Sequence, residues 1–243
     1  MGKVFAVTSG KGGVGKSTVA VGLGLAFCQK GEKVLLIDMD EGLRCLDLML
    51  GLDKSTVFDL ADILMDKEPT EAIYQCETEK NLYLIPAPAK QGMIDYFSLS
   101  TLALNVSEMF DTVIFDFPAG INIALYSCLP KDTLFLTVAV PDPVSVRDAR
   151  AVSDALENAN IPARLIINKF AIKQDRKFRF KNIDEIIDGS ALQLIGIVPE
   201  SDDLRLLSLK HKISSRSKAL KAFMRITSRL CGEKLLLPKL KKI

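Results

Sequence analysis

The sequence lacks residues that several common kinds of site and scaffold require. It has no tryptophan and a single histidine, His211, which excludes a histidine-rich metal site and leaves one candidate for histidine-assisted serine or cysteine catalysis. No CxxC pair is present, which argues against both a zinc site and a disulfide framework. We interpret His211 as structural and the five cysteines as reduced thiols: Cys28, Cys45, Cys76, Cys128 and Cys231.

Long apolar runs are also missing. The longest, such as 34–37 and 133–140, are shorter than the roughly 18 residues that a membrane-spanning helix requires. The first residues do not follow the charged, apolar and then small-residue order of a signal peptide. We therefore expect a cytosolic protein without a transmembrane segment.

The charged residues are unevenly distributed. The net charge is +2, but from Arg205 onward twelve Lys and Arg face the single acid Glu233, a local charge of +11. Such asymmetry can mark a face that meets nucleic acid or an anionic membrane. A second cluster, 169–181, carries six basic residues around Asp175, and it is either a solvated loop or a patch that binds a partner.

Short apolar runs alternate with segments long enough for helices. Continuous apolar runs of this kind are typical of strands buried on both faces of a parallel sheet. The sequence therefore predicts a doubly wound α/β fold, a mostly parallel sheet with helices on both faces and ligands at the carboxyl ends of the strands. The predicted strands are 3–8, 33–37, 82–85, 112–116, 133–138, 164–168 and 194–198, and the predicted helices include 17–30, 98–110 and 145–160.

The end of the chain predicts one more helix and a short tail. Within 214–231, Leu220, Phe223, Ile226 and Leu230 share one helical face, which favours packing on the sheet. We expect one domain over 1–232 and a basic, apolar tail over 233–243, in which Pro238 disfavours a continuous helix.

A glycine-rich segment between the first predicted strand and helix fits G-x-x-x-x-G-K-[ST]. Backbone N–H groups can converge on phosphate oxygens where no Cβ intrudes, and the positive end of the helix adds to the attraction. The second lysine of the motif, Lys16, should neutralise the β- and γ-phosphates, and the hydroxyl of Ser17 should ligate magnesium. The predicted nucleotide-binding residues here are Gly10, Lys11, Gly12, Gly13, Val14, Gly15, Lys16, Ser17 and Thr18.

Three acids stand at or just after strand ends. Asp116 ends the predicted strand 112–116, the position of an acid that holds magnesium through water in phosphate-loop enzymes. Asp38 follows the strand 33–37, and Asp40 lies two residues beyond it. An Asp after a strand is often a turn residue, but the phosphate loop favours a functional role for all three.

The extra lysine, Lys11, is the signature of the deviant Walker A loop, and 11–18 resembles the MinD/ParA family of dimerising ATPases. The segment 38–52 is most similar to the branch of that family that places the division septum. The resemblance runs from about residue 1 to residue 233, and further matching segments are 81–87, 116–121, 145–149 and 196–200.

This resemblance implies an ATP hydrolase that uses Mg²⁺ and closes as a homodimer around two nucleotides. It implies that Lys11 reaches the partner subunit's phosphates, that Asp40 lies near the attacking water and that Asp38 lies beside the metal. It also implies that Asn168 and Pro199 hold the adenine. Partners of the MinC and MinE kinds and an anionic membrane surface at the inner face of the cell membrane are the associations it implies.

Three departures from the family pattern keep other functions open. Cys45 stands where asparagine is usual, Phe117 replaces a small residue, and the tail is shorter than that of membrane-binding members. The second hypothesis is a ParA-like, DNA-binding partition or cargo-positioning ATPase, which the basic segments favour. The third is a nucleotide-gated scaffold with little hydrolysis, motivated by Cys45 and Phe117.

Overall fold

The computed structural model describes residues 1–65, 67–171 and 183–237 of the chain. Its strands are β1 Lys3–Thr8, β2 Val34–Asp38, β3 Tyr74–Gln75, β4 Leu82–Ile85, β5 Thr112–Asp116, β6 Leu134–Ala139, β7 Ala163–Phe170 and β8 Leu194–Pro199. Its α-helices are α1 Lys16–Cys28, α2 Leu46–Leu50, α3 Leu60–Leu64, α4 Tyr96–Met109, α5 Ile123–Tyr126, α6 Pro143–Asn158, α7 Ile183–Ser190, α8 Asp202–Arg205, α9 Leu207–Lys210 and α10 Lys218–Leu230, with a 3₁₀ turn at Pro69–Ala72.

The strands form one sheet in the order β3-β4-β2-β5-β1-β6-β7-β8. Every predicted strand is present. All neighbouring pairs are parallel except β3 with β4, which confirms the predicted, mostly parallel sheet. The edge strand β3 was not predicted, because its two partly exposed residues form no apolar run.

Alternate residues of the central strands enter cores on opposite faces of the sheet. On β1, Phe5 and Val7 belong to the core that includes α1 and α10, whereas Val4 and Ala6 belong to the core that includes α4 and the end of α6. Since side chains alternate across a strand, helices must cover both faces to keep these residues from water. The doubly wound architecture is therefore confirmed.

Helix α10 packs on the sheet, as its apolar face predicted. Phe223 and Ile226 are almost fully buried. Gly22 and Gly196 make this approach possible, because a Cβ at Gly22 would overlap the Phe223 ring and one at Gly196 would overlap Ile226. The helix thereby closes the layer that contains α1 and leaves its basic residues, such as Lys221, at the surface.

The first residues after α10 are held on the domain by hydrogen bonds from Arg229. The guanidinium group of Arg229 donates to the carbonyl of Leu235 at 2.7 Å and to that of Ile195 at 2.7 Å. Leu236 is then 93% exposed. The rest of the tail, 238–243 with Pro238, lies outside the described residues, as does most of the basic cluster 169–181. In the part of the chain that is described, no helix is long and apolar enough to cross a membrane.

Candidate nucleotide site

The glycine-rich loop joins β1 to α1 at the carboxyl edge of the sheet. Gly13 and Gly15 have φ angles of 79° and 92°, in the left-handed region that favours glycine. A Cβ at Gly10 would lie 2.5 Å from the Asp148 carbonyl oxygen, so that position also requires glycine. Gly15 is the N-cap of α1 and has no side chain to cap the helix, which leaves the first N–H groups of α1 for a ligand.

Two acids meet behind this loop. Asp38 and Asp116 are direct register partners at the ends of β2 and β5, and each is 1% exposed. Asp38 accepts backbone N–H groups of Asp40 at 3.0 Å, Cys45 at 3.0 Å and Leu46 at 3.1 Å. Burial nevertheless raises the pKa of Asp38 above its ordinary value, with Asp40 adding to the effect.

Asp116 is less well satisfied. Its pKa is raised by burial and by Asp38, while a hydrogen bond from Ser17 and the charge of Lys16 act in the opposite direction. Among the described residues, its Oδ1 has no hydrogen-bond partner. A buried carboxylate oxygen without a partner, beside a serine hydroxyl at a phosphate loop, is the environment that a hydrated divalent cation would complete.

The two lysines of the loop occupy different environments. Lys16 is 8% exposed, and its charge lowers the pKa of Asp116 and opposes the burial that raises the pKa of Asp40. The Lys11 side chain is 47% exposed, and its Nζ lies 3.7 Å from Asp142 Oδ2 at the start of α6. Lys16 therefore lies near the acids Asp116 and Asp40 of its own chain, whereas the Lys11 side chain faces outward.

The segment after Asp40 is fixed by a neighbouring loop. The Glu41 carboxylate accepts the backbone N–H groups of Gly92 at 3.1 Å, Met93 at 2.7 Å and Ile94 at 3.1 Å. Three N–H donors satisfy one carboxylate more fully than a surface ion pair does. Glu41 was not singled out from the sequence, because its partners are backbone groups more than 50 residues away.

The two departures near the site have different consequences. Phe117 is 1% exposed and its ring points into the core, 4.9 Å from the Tyr126 ring centroid in an edge arrangement. The Tyr126 hydroxyl lies 2.8 Å from Thr8 Oγ1 and donates to the Gly120 carbonyl at 2.9 Å. Phe117 therefore stabilises the loop below the site without entering it. Burial, followed by the charge of Asp38, raises the pKa of the Cys45 thiol.

A cavity of about 420 Å³ adjoins the loop on the side of β7 and β8. It contains the predicted adenine residues Asn168 and Pro199 at the ends of these strands, together with Thr18. Asn168 Nδ2 donates to the Val14 carbonyl at 2.8 Å, which leaves its oxygen as an acceptor. Residues that sequence reasoning missed also line this cavity: Met49, Lys169, Ser201, Leu204, Arg205 and Ser208.

Residues 5–214 match the family described as the CobQ/CobB/MinD/ParA nucleotide binding domain. The chain is 35% identical over 242 residues to a septum site-determining protein MinD of Thermotoga maritima, covering 96% of this chain and 89% of that protein. The MinC:MinD cell division protein complex of Aquifex aeolicus contains a chain that is 30% identical to this one, with a TM-score of 0.87. The match covers 98% of this chain and 99% of that chain. The fold is shared with the septum site-determining protein MinD of Pyrococcus horikoshii complexed with Mg-ADP, at 24% identity, a TM-score of 0.82 and 97% and 100% coverage.

Proposed function

The chain belongs to the CobQ/CobB/MinD/ParA family of nucleotide-binding domains, and on that premise we propose that it is a MinD-like ATPase that regulates septum placement. Similarity to septum site-determining proteins over 96% of the chain carries the cellular role. The buried Asp116 Oδ1, which has no hydrogen-bond partner among the described residues, supports the chemistry, because a hydrated cation that accompanies a nucleotide would satisfy it.

In this proposal the loop from Gly10 to Thr18 holds the phosphates of ATP. Lys16 neutralises the β- and γ-phosphates, and its burial strengthens that interaction. Ser17 would be a protein ligand of Mg²⁺, and Asp116 and Asp38 would hold the ion through water. When bound, the ion would supply positive charge that offsets the charge on the phosphates during transfer.

Hydrolysis requires a hydrogen-bond acceptor that orients the attacking water, and Asp40 is the proposed acceptor. It is partly buried, its pKa is raised by that burial, and Lys16 lies close enough to act on its charge. The Glu41 carboxylate holds the adjacent backbone against 92–94, so Asp40 extends from a fixed segment. An acid positioned in this way orients water without having to reorganise during the reaction.

The second half of the site comes from another copy of the chain. The Lys11 ammonium lies against Asp142 and is half-exposed, so it does not serve the loop of its own subunit. In an ATP-bound homodimer, Lys11 contacts the phosphates in the facing subunit and supplies charge in trans, the part that an arginine finger plays in other phosphate-loop enzymes. ATP binding and dimerisation are thereby coupled.

The dimer is the form that recruits partners in this proposal. The similar Aquifex aeolicus chain occurs in a complex with MinC, and we assign a MinC-like partner to this chain on that basis. A MinE-like activator and an anionic membrane surface are further proposed associations. The exposed leucines Leu235, Leu236 and Leu237 supply an apolar contact, and two tails per dimer would add avidity.

A DNA-positioning ATPase is the second candidate. The observation that favours it is the exposed basic row on α10, which includes Lys218 and Lys221. Phosphate contacts of this kind give salt-dependent binding without sequence preference.

Co-sedimentation with anionic liposomes and with DNA, each with ATP and with ADP, tests the two candidates. Binding to liposomes with ATP but not ADP is expected, and ATP-dependent binding to DNA alone would refute the septum role. Phosphate release is measured in parallel with saturating lipid and partner. Turnover that disappears in Asp40→Ala would eliminate the third hypothesis, a scaffold with little hydrolysis, whereas absence of turnover in the wild type would overturn the enzymatic assignment.

A further inference from the structure

The carboxyl end of β7 is fastened to the phosphate loop by two consecutive side chains. Asn168 Nδ2 donates to the Val14 carbonyl at 2.8 Å, and Lys169 Nζ donates to the Gly13 carbonyl at 2.7 Å. Their partners are consecutive peptide groups in the middle of the loop. The contact is close, because a Cβ on Gly15 would overlap the Asn168 amide.

Peptide geometry converts these two contacts into an orientation of the loop's donors. In a trans peptide the carbonyl of one residue and the N–H of the next point in opposite directions. Holding the Gly13 and Val14 carbonyls toward β7 therefore turns the N–H groups of Val14 and Gly15 away from β7. Convergent N–H groups are the donors with which such a loop binds phosphate.

The backbone of Lys169 is adapted to this contact. Its φ angle is 52°, in the left-handed region, and the register between β7 and β8 is irregular between Ile167 and Phe170. A bulge of this kind redirects a side chain that regular alternation would have pointed elsewhere. A non-glycine residue in this region is strained, and the surrounding contacts must offset that strain.

We propose that Lys169, together with Asn168, is a positioning residue of the nucleotide site that sets the direction of the Val14 and Gly15 N–H groups toward phosphate. Lys169 acts on the phosphates through the Gly13 carbonyl, and not by touching them. The proposal rests on the proposed function in one respect, that the loop binds the phosphates of ATP. It adds a second task to Asn168, which also lines the proposed adenine cavity.

Replacement of Lys169 by methionine tests the assignment, because methionine keeps much of the apolar stem and removes the donor. Affinity is measured by calorimetry for ADP, for inorganic tripolyphosphate and for adenosine, each with Mg²⁺. We expect about a tenfold weakening for ADP and tripolyphosphate, as for loss of a charge-assisted hydrogen bond, and a much smaller loss for adenosine, because Lys169 also lines the adenine cavity. A matched loss for adenosine, or no loss for tripolyphosphate, would overturn the proposal.

A second readout separates orientation of the loop from direct contact with phosphate. In the nucleotide-free protein, the ¹⁵N–¹H resonances of Val14 and Gly15 should shift in Lys169→Met and return toward their original positions in Lys169→Arg, which keeps a charged donor. Unchanged resonances in Lys169→Met would contradict the positioning role. Lys131→Met is the matched control, since Lys131 is exposed just before β6 begins, at the amino ends of the parallel strands and away from the phosphate loop.

The proposed function and the positioning role of Lys169 would be refuted by different results. A wild-type protein that binds ADP but neither dimerises nor hydrolyses ATP would refute the proposed function and leave the positioning role supported by the variant's affinities. Thermal melting of Lys169→Met controls for folding, and the resonances decide whether the contact acts even where no nucleotide binds.

Discussion

Asp38 and Asp116 lie directly opposite each other where β2 and β5 end, and both are buried. Asp38 is surrounded by three backbone donors, whereas Asp116 has an oxygen without a hydrogen-bond partner in the described structure. On the proposed assignment, this asymmetry would make Asp116 a source of instability in the nucleotide-free protein and of affinity in the magnesium complex.

The Asp116→Asn variant should be more stable than the wild type without nucleotide, and more so at alkaline pH. Burial raises the folded-state pKa of Asp116 from 3.8 to about 8, so the folded protein binds a proton that the unfolded chain releases near pH 4. The stabilisation from that proton is lost as pH rises toward about 8. Asparagine removes this loss, and we expect its melting temperature to exceed that of the wild type by several degrees near pH 8.5 and by less near pH 5.

Thermal denaturation at the two pH values, with and without Mg-ADP, is the measurement. The ligand should stabilise the wild type and stabilise Asp116→Asn far less, since the variant lacks the anionic oxygen. A melting difference that is the same at both pH values would show that the carboxyl does not carry the effect. Asp132→Asn is a suitable control, because Asp132 is exposed just before β6 begins, at the amino ends of the parallel strands.

Lys11→Ala should prevent the ATP-induced dimer while leaving nucleotide bound to the monomer. The reason is the position of its ammonium, which lies on Asp142 and outside the loop of its own subunit. Light scattering after size-exclusion chromatography with a non-hydrolysable ATP analogue measures the dimer. Lys16→Ala is the comparison, since loss of this buried lysine should abolish binding itself. Normal dimers in Lys11→Ala would refute the assignment in trans.

The layout of the fold could be predicted from the sequence because buried parallel strands leave continuous apolar runs. The run Thr112–Asp116 and the loop after Thr8 locate both the sheet and the phosphate site. The strand β3 could not be predicted in this way, since Tyr74 and Gln75 pair at an edge where burial imposes no pattern. Its existence depends on tertiary contacts.

The same distinction holds within the site. Asp38 and Asp116 follow from strand ends, but their unequal hydrogen bonding depends on the loop that folds over Asp38. Lys169 follows Asn168 in a cluster whose charge alone predicted a loop or a partner patch. Its contact with the Gly13 carbonyl arises from the left-handed backbone at φ 52°, which no residue type marks in advance.

Tyr126→Phe should slow hydrolysis more than it weakens ATP binding. The lost hydroxyl bridges Thr8 to the Gly120 carbonyl, so its removal frees the loop that follows Asp116 while leaving the aromatic packing intact. The free energy of unfolding should fall by about 1 kcal/mol. Steady-state kinetics should show a lower kcat with KM nearly unchanged. Tyr83→Phe is the control, since its hydroxyl lies at the β3 edge, and an equal kinetic effect there would argue against a specific role for Tyr126.

Glu41→Ala should lower turnover through the neighbouring acid Asp40. Removal of the carboxylate leaves the N–H groups of Gly92, Met93 and Ile94 without their acceptor and releases the segment that carries Asp40. We expect ATP hydrolysis to fall about tenfold, an effect of misplacing a water-orienting group, with ADP affinity preserved because the phosphate loop is untouched.

The Glu41→Gln variant distinguishes the role of the Glu41 oxygens as hydrogen-bond acceptors from the role of the negative charge. Its amide oxygen can still accept from one or two of the same N–H groups, so its turnover should lie between those of the wild type and Glu41→Ala. Increased amide hydrogen exchange at 92–94 in Glu41→Ala is expected in parallel, since three protected donors become free. Glu77→Ala, at an exposed position near the β3 edge, should change neither quantity. If Glu41→Ala exchanged faster at 92–94 yet hydrolysed ATP at the normal rate, the loop contact would be structural and Asp40 would not depend on it.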